Sequence, residues 1–203
     1  MKKQITFITS NAGKVATLRN KLDPEKFEVI QESIDLPEIQ ADTVKEISIA
    51  KAEYAFELLK KPLVVQDSGF CIPALNNFPG PYVKYVWDKL GSEGFLKLME
   101  GVEDRRAYFD KVLTYIDETG IHTFHQEAEP GTLATEKYEI QSDRAWGGLW
   151  ELYIPEGLDK PLAAFSNEEL AEKEKNNWGN NDKPLEEQGE STQFAVWAEE
   201  NLI

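Results

Sequence analysis

The sequence predicts an α/β protein built on one elongated sheet, with a second lobe carried by a long hairpin. Three observations predict it. Strand-like and helix-like segments alternate through the first 66 residues, the order of a layered parallel sheet. Two long strand-like stretches, Ala107 to Ile116 and Ile121 to Gln126, flank the tight turn Glu118-Thr119-Gly120. The 203 residues are 41% hydrophobic and 11% aromatic, enough for a sizeable core and unlike a disordered chain. No internal repeat or low-complexity linker interrupts them, and the length is little more than the ~150 residues of one domain. Residues 1–203 therefore read as a single domain.

Each element has a local reason. Gln4 to Thr9 is rich in Ile, Thr and Phe and reads as a strand. The turn Ser10-Asn11-Ala12-Gly13 leads into a helix to about Leu22, with Val15 and Leu18 on one face. Phe27 to Ile30 is a short strand. A helix from about Thr43 to Leu59 starts behind the capping candidate Asp42. Its stripe is Ile47, Tyr54, Ala55 and Leu58, at helical spacing. Leu63 to Gln66 is a buried strand of parallel type. Ser92 opens a helix through Met99, and Leu149 to Ile154 is a further strand candidate. From Asn167 to Asn201 ten acids face three bases. Ser166 with Glu169 forms a capping box there, and Ser191 precedes a helix carrying Phe194 and Trp197.

Charge and cysteine content narrow the function. With 22 Lys and Arg against 37 Asp and Glu, the net charge is −15, which argues against a nucleic-acid partner. Any anion must meet a local positive site. The single cysteine, Cys71, excludes an internal disulfide and a cysteine-based zinc cage. No apolar run approaches the ~18 residues of a membrane span. The N-terminus lacks a signal peptide's apolar core. The expectation is a cytoplasmic protein with no membrane partner.

Chemistry concentrates in three places. Thr9-Ser10-Asn11-Ala12-Gly13-Lys14 follows a strand and opens a helix, where backbone N–H groups and the positive helix end favour a phosphate. It is not a Walker A loop, because Val15 follows Lys14 where Ser or Thr is needed. The alternative is an ordinary Asn cap with a surface lysine. Asp67-Ser68 ends the buried strand, at the strand end where open α/β sheets bind ligands. Glu38 sits in a Pro-containing loop that approaches the same edge. Two carboxylates with phosphate oxygens and water suit Mg²⁺; the alternative for Asp67 is a turn residue. Lys51 lies on the apolar stripe of its helix, either snorkelling outward or reaching an anion. Lys89 is a similar candidate. His122 and His125, three apart on a strand, point to opposite faces and make a poor metal pair.

Together the segments resemble the inosine triphosphate pyrophosphatase family of non-canonical purine nucleoside triphosphate pyrophosphatases. The resemblance is carried by Thr9 to Lys14, Leu36-Pro37-Glu38-Ile39-Gln40, Val65-Gln66-Asp67-Ser68-Gly69 and Ala74 to Tyr82. Lys89-Leu90-Gly91 and Glu103 to Tyr108 continue it, in family order. Beyond residue 108 only Tyr153 to Gly157 and Glu174-Lys175-Asn176 add to it. It implies an elongated mixed sheet flanked by helices, two lobes with a central cleft, a homodimer, and Mg²⁺-dependent cleavage of a triphosphate to a monophosphate and pyrophosphate. It implies that Ser10, Asn11 and Lys14, flanked by Thr9, bind the triphosphate, that Glu38 and Asp67 are the metal carboxylates, and that Asp67 activates water. Lys51 is expected to be catalytic with Asp67, Lys51 and Lys175 are implied as further phosphate or substrate contacts, and Ser68, Lys89 and Trp150 are further substrate-binding candidates.

The chain departs from the family pattern at three places. Gln66 replaces an acid before Asp67, and Gly148-Leu149-Trp150-Glu151 replaces Gly-Trp-Asp-Pro. Gly179-Asn180-Asn181 aligns with the Ser-His-Arg that reads the purine carbonyl. Trp150 and Trp178 offer rings for base stacking. These departures leave open a non-catalytic nucleotide sensor on the same fold, or a pyrophosphatase with changed base specificity.

Overall fold

The computed structural model describes residues 2–143, 145, 147–175 and 184–203, without side-chain detail at 127–129, 174, 175 and 186. It is a mixed α/β structure. Seven strands form one sheet in the order β2-β1-β3-β5-β6-β7, with the short β4 paired to β3. The strands are β1 (Lys3–Ile8), β2 (Phe27–Glu32), β3 (Leu63–Ile72), β4 (Phe78–Gly80), β5 (Arg106–Asp117), β6 (Gly120–Leu133) and β7 (Tyr153–Pro155). The α-helices are α1 (Ala12–Lys21), α2 (Val44–Leu59), α3 (Val83–Leu98), α4 (Asn167–Lys175) and α5 (Glu190–Asn201). The β-α-β-α-β beginning is present as expected: β1 pairs in parallel with β2, Lys3 against Phe27, and with β3, Thr6 against Leu63. Among the described residues no helix is long and apolar enough to cross a membrane.

The chain gathers into two compact units, each assembled from separate stretches. The first comprises Met1–Ser68, Lys111–Glu127 and Lys183–Ile203; the second comprises Gly69–Asp110 and Ala128–Asp182. In the first unit Ile5, Phe7, Val64 and Leu113 from the strands pack with Val15 and Leu18 of α1 and Phe194 and Ala198 of α5. Tyr115, Phe124, Phe194 and Trp197 form an aromatic cluster, and the His122 ring lies 4.5 Å from Trp197. His122 thus packs at the edge of this cluster. Ala52 and Ala55 of α2 pack on Leu63 and Val65.

Local details differ from expectation where side chains choose between neighbours. Thr43, not Asp42, caps α2: its hydroxyl accepts from Glu46 N while Glu46 returns to the Thr43 N–H. The buried face of α2 is Val44, Ile47, Ser48, Ala52 and Ala55, so Tyr54 and Leu58 point outward, 50% and 58% exposed. Gly189 precedes α5, and Ser191 lies inside its first turn rather than before it. The Ser166–Glu169 capping box stands as read.

In the second unit α3 begins nine residues before the expected start at Ser92. Gly91, at φ 55°, interrupts it, and a side chain there would be strained. The stretch 83–90, to which the sequence assigned no element, is helical. The expected strand Leu149 to Ile154 is a 3-10 turn, Gly148–Glu151, followed by the short β7. The turn lets Leu149 and Leu152 join Phe70, Phe95, Phe109 and Tyr153 in the core. Gly148 is required here by close approach, since a Cβ at this position would lie 2.3 Å from the Trp87 indole nitrogen. Gly148→Ala is expected to cost about 2 kcal/mol of overpacking. A denaturant midpoint equal to wild type would show that Trp87 moves aside freely.

Candidate active site

The first unit carries the site. β1 ends at Ile8, and Asn11 caps α1 with its side-chain carbonyl, accepting from the backbone N–H of Gly13 at 2.8 Å and of Lys14 at 3.2 Å. The Asn11 N–H in turn donates to Thr9 Oγ1 at 3.1 Å. Two helix-end donors are thus spent on the cap, so the ordinary Asn cap that the sequence left open as the alternative is present. What the loop presents outward is Ser10 and the Asn11 amide, both exposed. Lys14 reaches β3. Its Nζ donates to the backbone carbonyl of Gln66 in β3 at 2.7 Å, tying α1 to the strand that carries Asp67. Burial pushes the Lys14 ammonium below the usual lysine range; Asp67 and Glu190 oppose this, while Lys51 and Lys111 add to it.

Lys51 is the centre of a charge cluster. From α2 its Nζ donates to Asp67 Oδ1 and to Glu38 Oε1, each at 2.6 Å. Its side chain is 14% exposed, Asp67 is 16% exposed and Glu38 is 70% exposed. Burial works to lower the Lys51 value, but the two carboxylates outweigh it and hold the ammonium above the usual lysine range. On this face of α2 the lysine ends on two carboxylates of the protein itself. The helix is anchored beneath it by the buried Ser48–Thr114 hydrogen bond at 2.8 Å.

Asp67 has an oxygen to spare. Oδ1 is held by Lys51, but Oδ2 is buried without a hydrogen-bond partner among the described residues. A buried acceptor left unmade costs about 1–3 kcal/mol, so this atom is suited to a ligand such as water or a cation. Beside Asp67, Gln66 donates from Nε2 to Glu190 Oε1 of α5, and Ser191 Oγ donates to the same oxygen at 3.0 Å.

The structure thus groups Lys14, Glu38, Lys51 and Asp67 through these bonds, with Thr9, Ser10, Asn11 and Ser68 adjoining them in the chain. Lys89, Trp150 and Lys175 belong to the second unit. Lys89 is exposed on α3 with its Nζ 5.5 Å from the Tyr85 ring centre. Trp150 is 7% exposed and packs with Leu162, Phe165 and Leu170, so the structure gives its ring a place in the core. Lys175 closes α4. Trp178, Asn180 and Asn181 lie outside the described residues.

The pattern of the Ham1 family matches residues 5–183. The chain belongs to the Ham1 family. This bears out the family resemblance carried by the phosphate loop and the Asp67 strand. Curated relatives cover nearly the whole chain. The dITP/XTP pyrophosphatase of Thermococcus kodakarensis is 36% identical over 201 residues, 98% of this chain and 99% of its own. The dITP/XTP pyrophosphatase of Methanopyrus kandleri is 36% identical over 199 residues, 98% of each chain. Among solved structures, a Ham1 protein from Coxiella burnetii aligns with a TM-score of 0.73, covering 98% of this chain and all of its own, at 21% identity. The Staphylococcus aureus Ham1 protein aligns at 0.61 with 25% identity, covering 82% and 88%. The Ham1 fold is therefore the fold described above.

Sequence reading missed Glu190. It lies 123 residues beyond Asp67 in an acidic stretch that reads as a solvated helix face, yet it is 4% exposed.

Proposed function

We propose that this chain is a Mg²⁺-dependent nucleoside triphosphate pyrophosphatase that splits a non-canonical purine NTP or dNTP into the monophosphate and pyrophosphate. The observation that carries the reading is the cluster of Lys51, Asp67 and Glu38, with the buried Asp67 Oδ2 open to a ligand, in the same unit as Lys14 and the capped start of α1. The names of the 36%-identical relatives support the same substrate class.

The residues fit a hard divalent cation. Asp67 offers an oxygen without a protein donor and Glu38 offers an exposed carboxylate. Among the described residues no three His, Cys, Asp or Glu side chains form a metal cage. Two carboxylates with phosphate oxygens and water match the way Mg²⁺ is held beside phosphorylated substrates. When bound, the cation would neutralise phosphate charge developing in the transition state. The rest falls to the chain. Ser10 and the Asn11 amide donate to phosphate oxygens, and the N-terminal end of α1 adds a positive field. Lys14 supplies a point charge for the outer phosphates. Lys51 fixes the orientation of Asp67 and sets a second positive charge beside it. Asp67 orients a water for in-line attack and takes its proton.

The test is pyrophosphate release from ITP, dITP, XTP, GTP and dUTP with Mg²⁺. No release from any of them overturns the reading and leaves the non-catalytic sensor, which Gln66 favours and which predicts thermal stabilisation without turnover. The same panel reads base selectivity. Similar rates across the bases would fit the Asn180-Asn181 departure. A hundredfold preference for ITP and XTP over GTP, worth about 2.7 kcal/mol, would assign base reading to other residues. We also propose a cytoplasmic homodimer. Phe78, Tyr82 and Tyr85 are 42%, 41% and 68% exposed and offer an aromatic contact surface. Sedimentation showing only a 23.1 kDa species would reject the dimer.

A further inference from the structure

We infer that Glu190 is a positioning residue of this site: a buried carboxylate, delivered by α5, that fixes Gln66 between Lys14 and Asp67. It rests on the reading of Lys14 as a phosphate-binding residue. Four observations carry it. Glu190 is 4% exposed, an unusual place for a glutamate without a partner to hold. It is the first residue of α5, where the helix end favours a negative charge. Its Oε1 accepts from Gln66 Nε2 and from Ser191 Oγ. Gln66 is itself engaged on its main chain, its carbonyl accepting from Lys14 Nζ.

The contacts form a continuous path. Glu190 holds the Gln66 side chain, the Gln66 carbonyl holds Lys14, and the next residue, Asp67, holds Lys51. Three elements distant in sequence, α1, β3 and α5, meet at Gln66. Glu190 is also one of the two carboxylates whose charge offsets burial at Lys14. A buried carboxylate is a costly way merely to dock a helix, since an apolar contact of similar volume is usually as stable. Its charge acting on Lys14 points to alignment of that lysine as the purpose.

The Gln66–Glu190 pair needs one amide to donate and one carboxylate to accept. Two carboxylates repel, and two amides keep a hydrogen bond but lose the charge. Exchanging the two residues restores a complementary pair in reverse. This separates positioning from simple stability.

The experiment is a double-mutant cycle of Glu190→Gln, Gln66→Glu and the exchanged double variant. It is read by KM and kcat for ITP, by calorimetric binding of inorganic tripolyphosphate, and by thermal midpoint. Each single variant is expected to raise KM and the tripolyphosphate Kd about tenfold, and the double variant to return within about threefold of wild type. For Glu190→Gln kcat is expected to stay within about threefold, because Glu190 touches none of the reacting atoms; for the variants carrying Gln66→Glu, which place an acid beside Asp67, the inference is read from KM and the tripolyphosphate Kd alone. Singles that shift only the thermal midpoint, or a double variant whose loss is the product of the singles, would overturn the inference. A wild type that binds tripolyphosphate and obeys the cycle but releases no pyrophosphate would instead refute the pyrophosphatase reading and leave Glu190 in its role.

Discussion

Asp67→Asn is expected to lower kcat for pyrophosphate release about 1,000-fold, a loss of ~4 kcal/mol of transition-state stabilisation. Asn keeps nearly the same shape, and its carbonyl still accepts from Lys51, which in the native protein donates to Asp67 Oδ1 at 2.6 Å. What disappears is the carboxylate charge and the free oxygen Oδ2, which has no hydrogen-bond partner among the described residues. The amide that replaces it is a donor, so it cannot take a proton from water or hold a cation. In the proposed function substrate binding falls to the α1 loop and Lys14, so KM is expected to change far less than kcat. The Asn variant is also expected to stay folded, since Ala52 and Ala55 of α2 remain packed on Leu63 and Val65 of β3. Steady-state kinetics alongside a thermal melt checks both parts. Activity within tenfold of wild type would remove Asp67 from the chemistry.

Lys14→Ala is expected to weaken nucleoside triphosphate binding about 100-fold while changing monophosphate binding much less. The side chain carries a buried positive charge, and hydrogen bonds to charged groups contribute about 1.5–3 kcal/mol each. The outer phosphates hold most of the ligand's charge, so the triphosphate loses more. The variant also frees the Gln66 carbonyl, which loses its donor at 2.7 Å. That loss is expected to lower stability by about 1 kcal/mol. Comparing ITP with IMP by calorimetry tests it; equal losses for the two ligands would mean that Lys14 does not sense the phosphate chain.

Much of the candidate site was legible as separate pieces. The loop Thr9 to Lys14 was readable because a strand, a short polar turn and a helix start follow one another within a dozen residues, and such order is local. Asp67 was readable as the residue after an apolar run, but β3 continues through it to Ile72, so it lies within the strand and not at its end as expected. Lys51 stood out as a charge on an apolar stripe, although the stripe itself was set too far round: Tyr54 and Leu58 face outward and Ser48 and Ala52 face inward. Periodicity locates a face only to within a residue or two. The neighbouring element decides which side chains are covered.

What the sequence by itself determined is the β-α-β-α-β beginning, the long hairpin, the α/β class and the family. These depend on short-range pattern, which backbone geometry enforces within each segment. The tertiary structure alone decided which residues meet. Lys51 could bind Asp67 and Glu38 only once α2 lay against β3, and Glu190 could reach Gln66 only once α5 packed on α1 and the sheet through Phe194 and Ala198. Trp150 was read as a ring for stacking and lies in a core cluster, because a 3-10 turn replaced the expected strand and turned it inward. A charged residue in an acidic stretch looks solvated until a partner 124 residues away takes it out of water. Side-chain partners of that kind are chosen by packing and charge balance across the fold, and no local pattern encodes them.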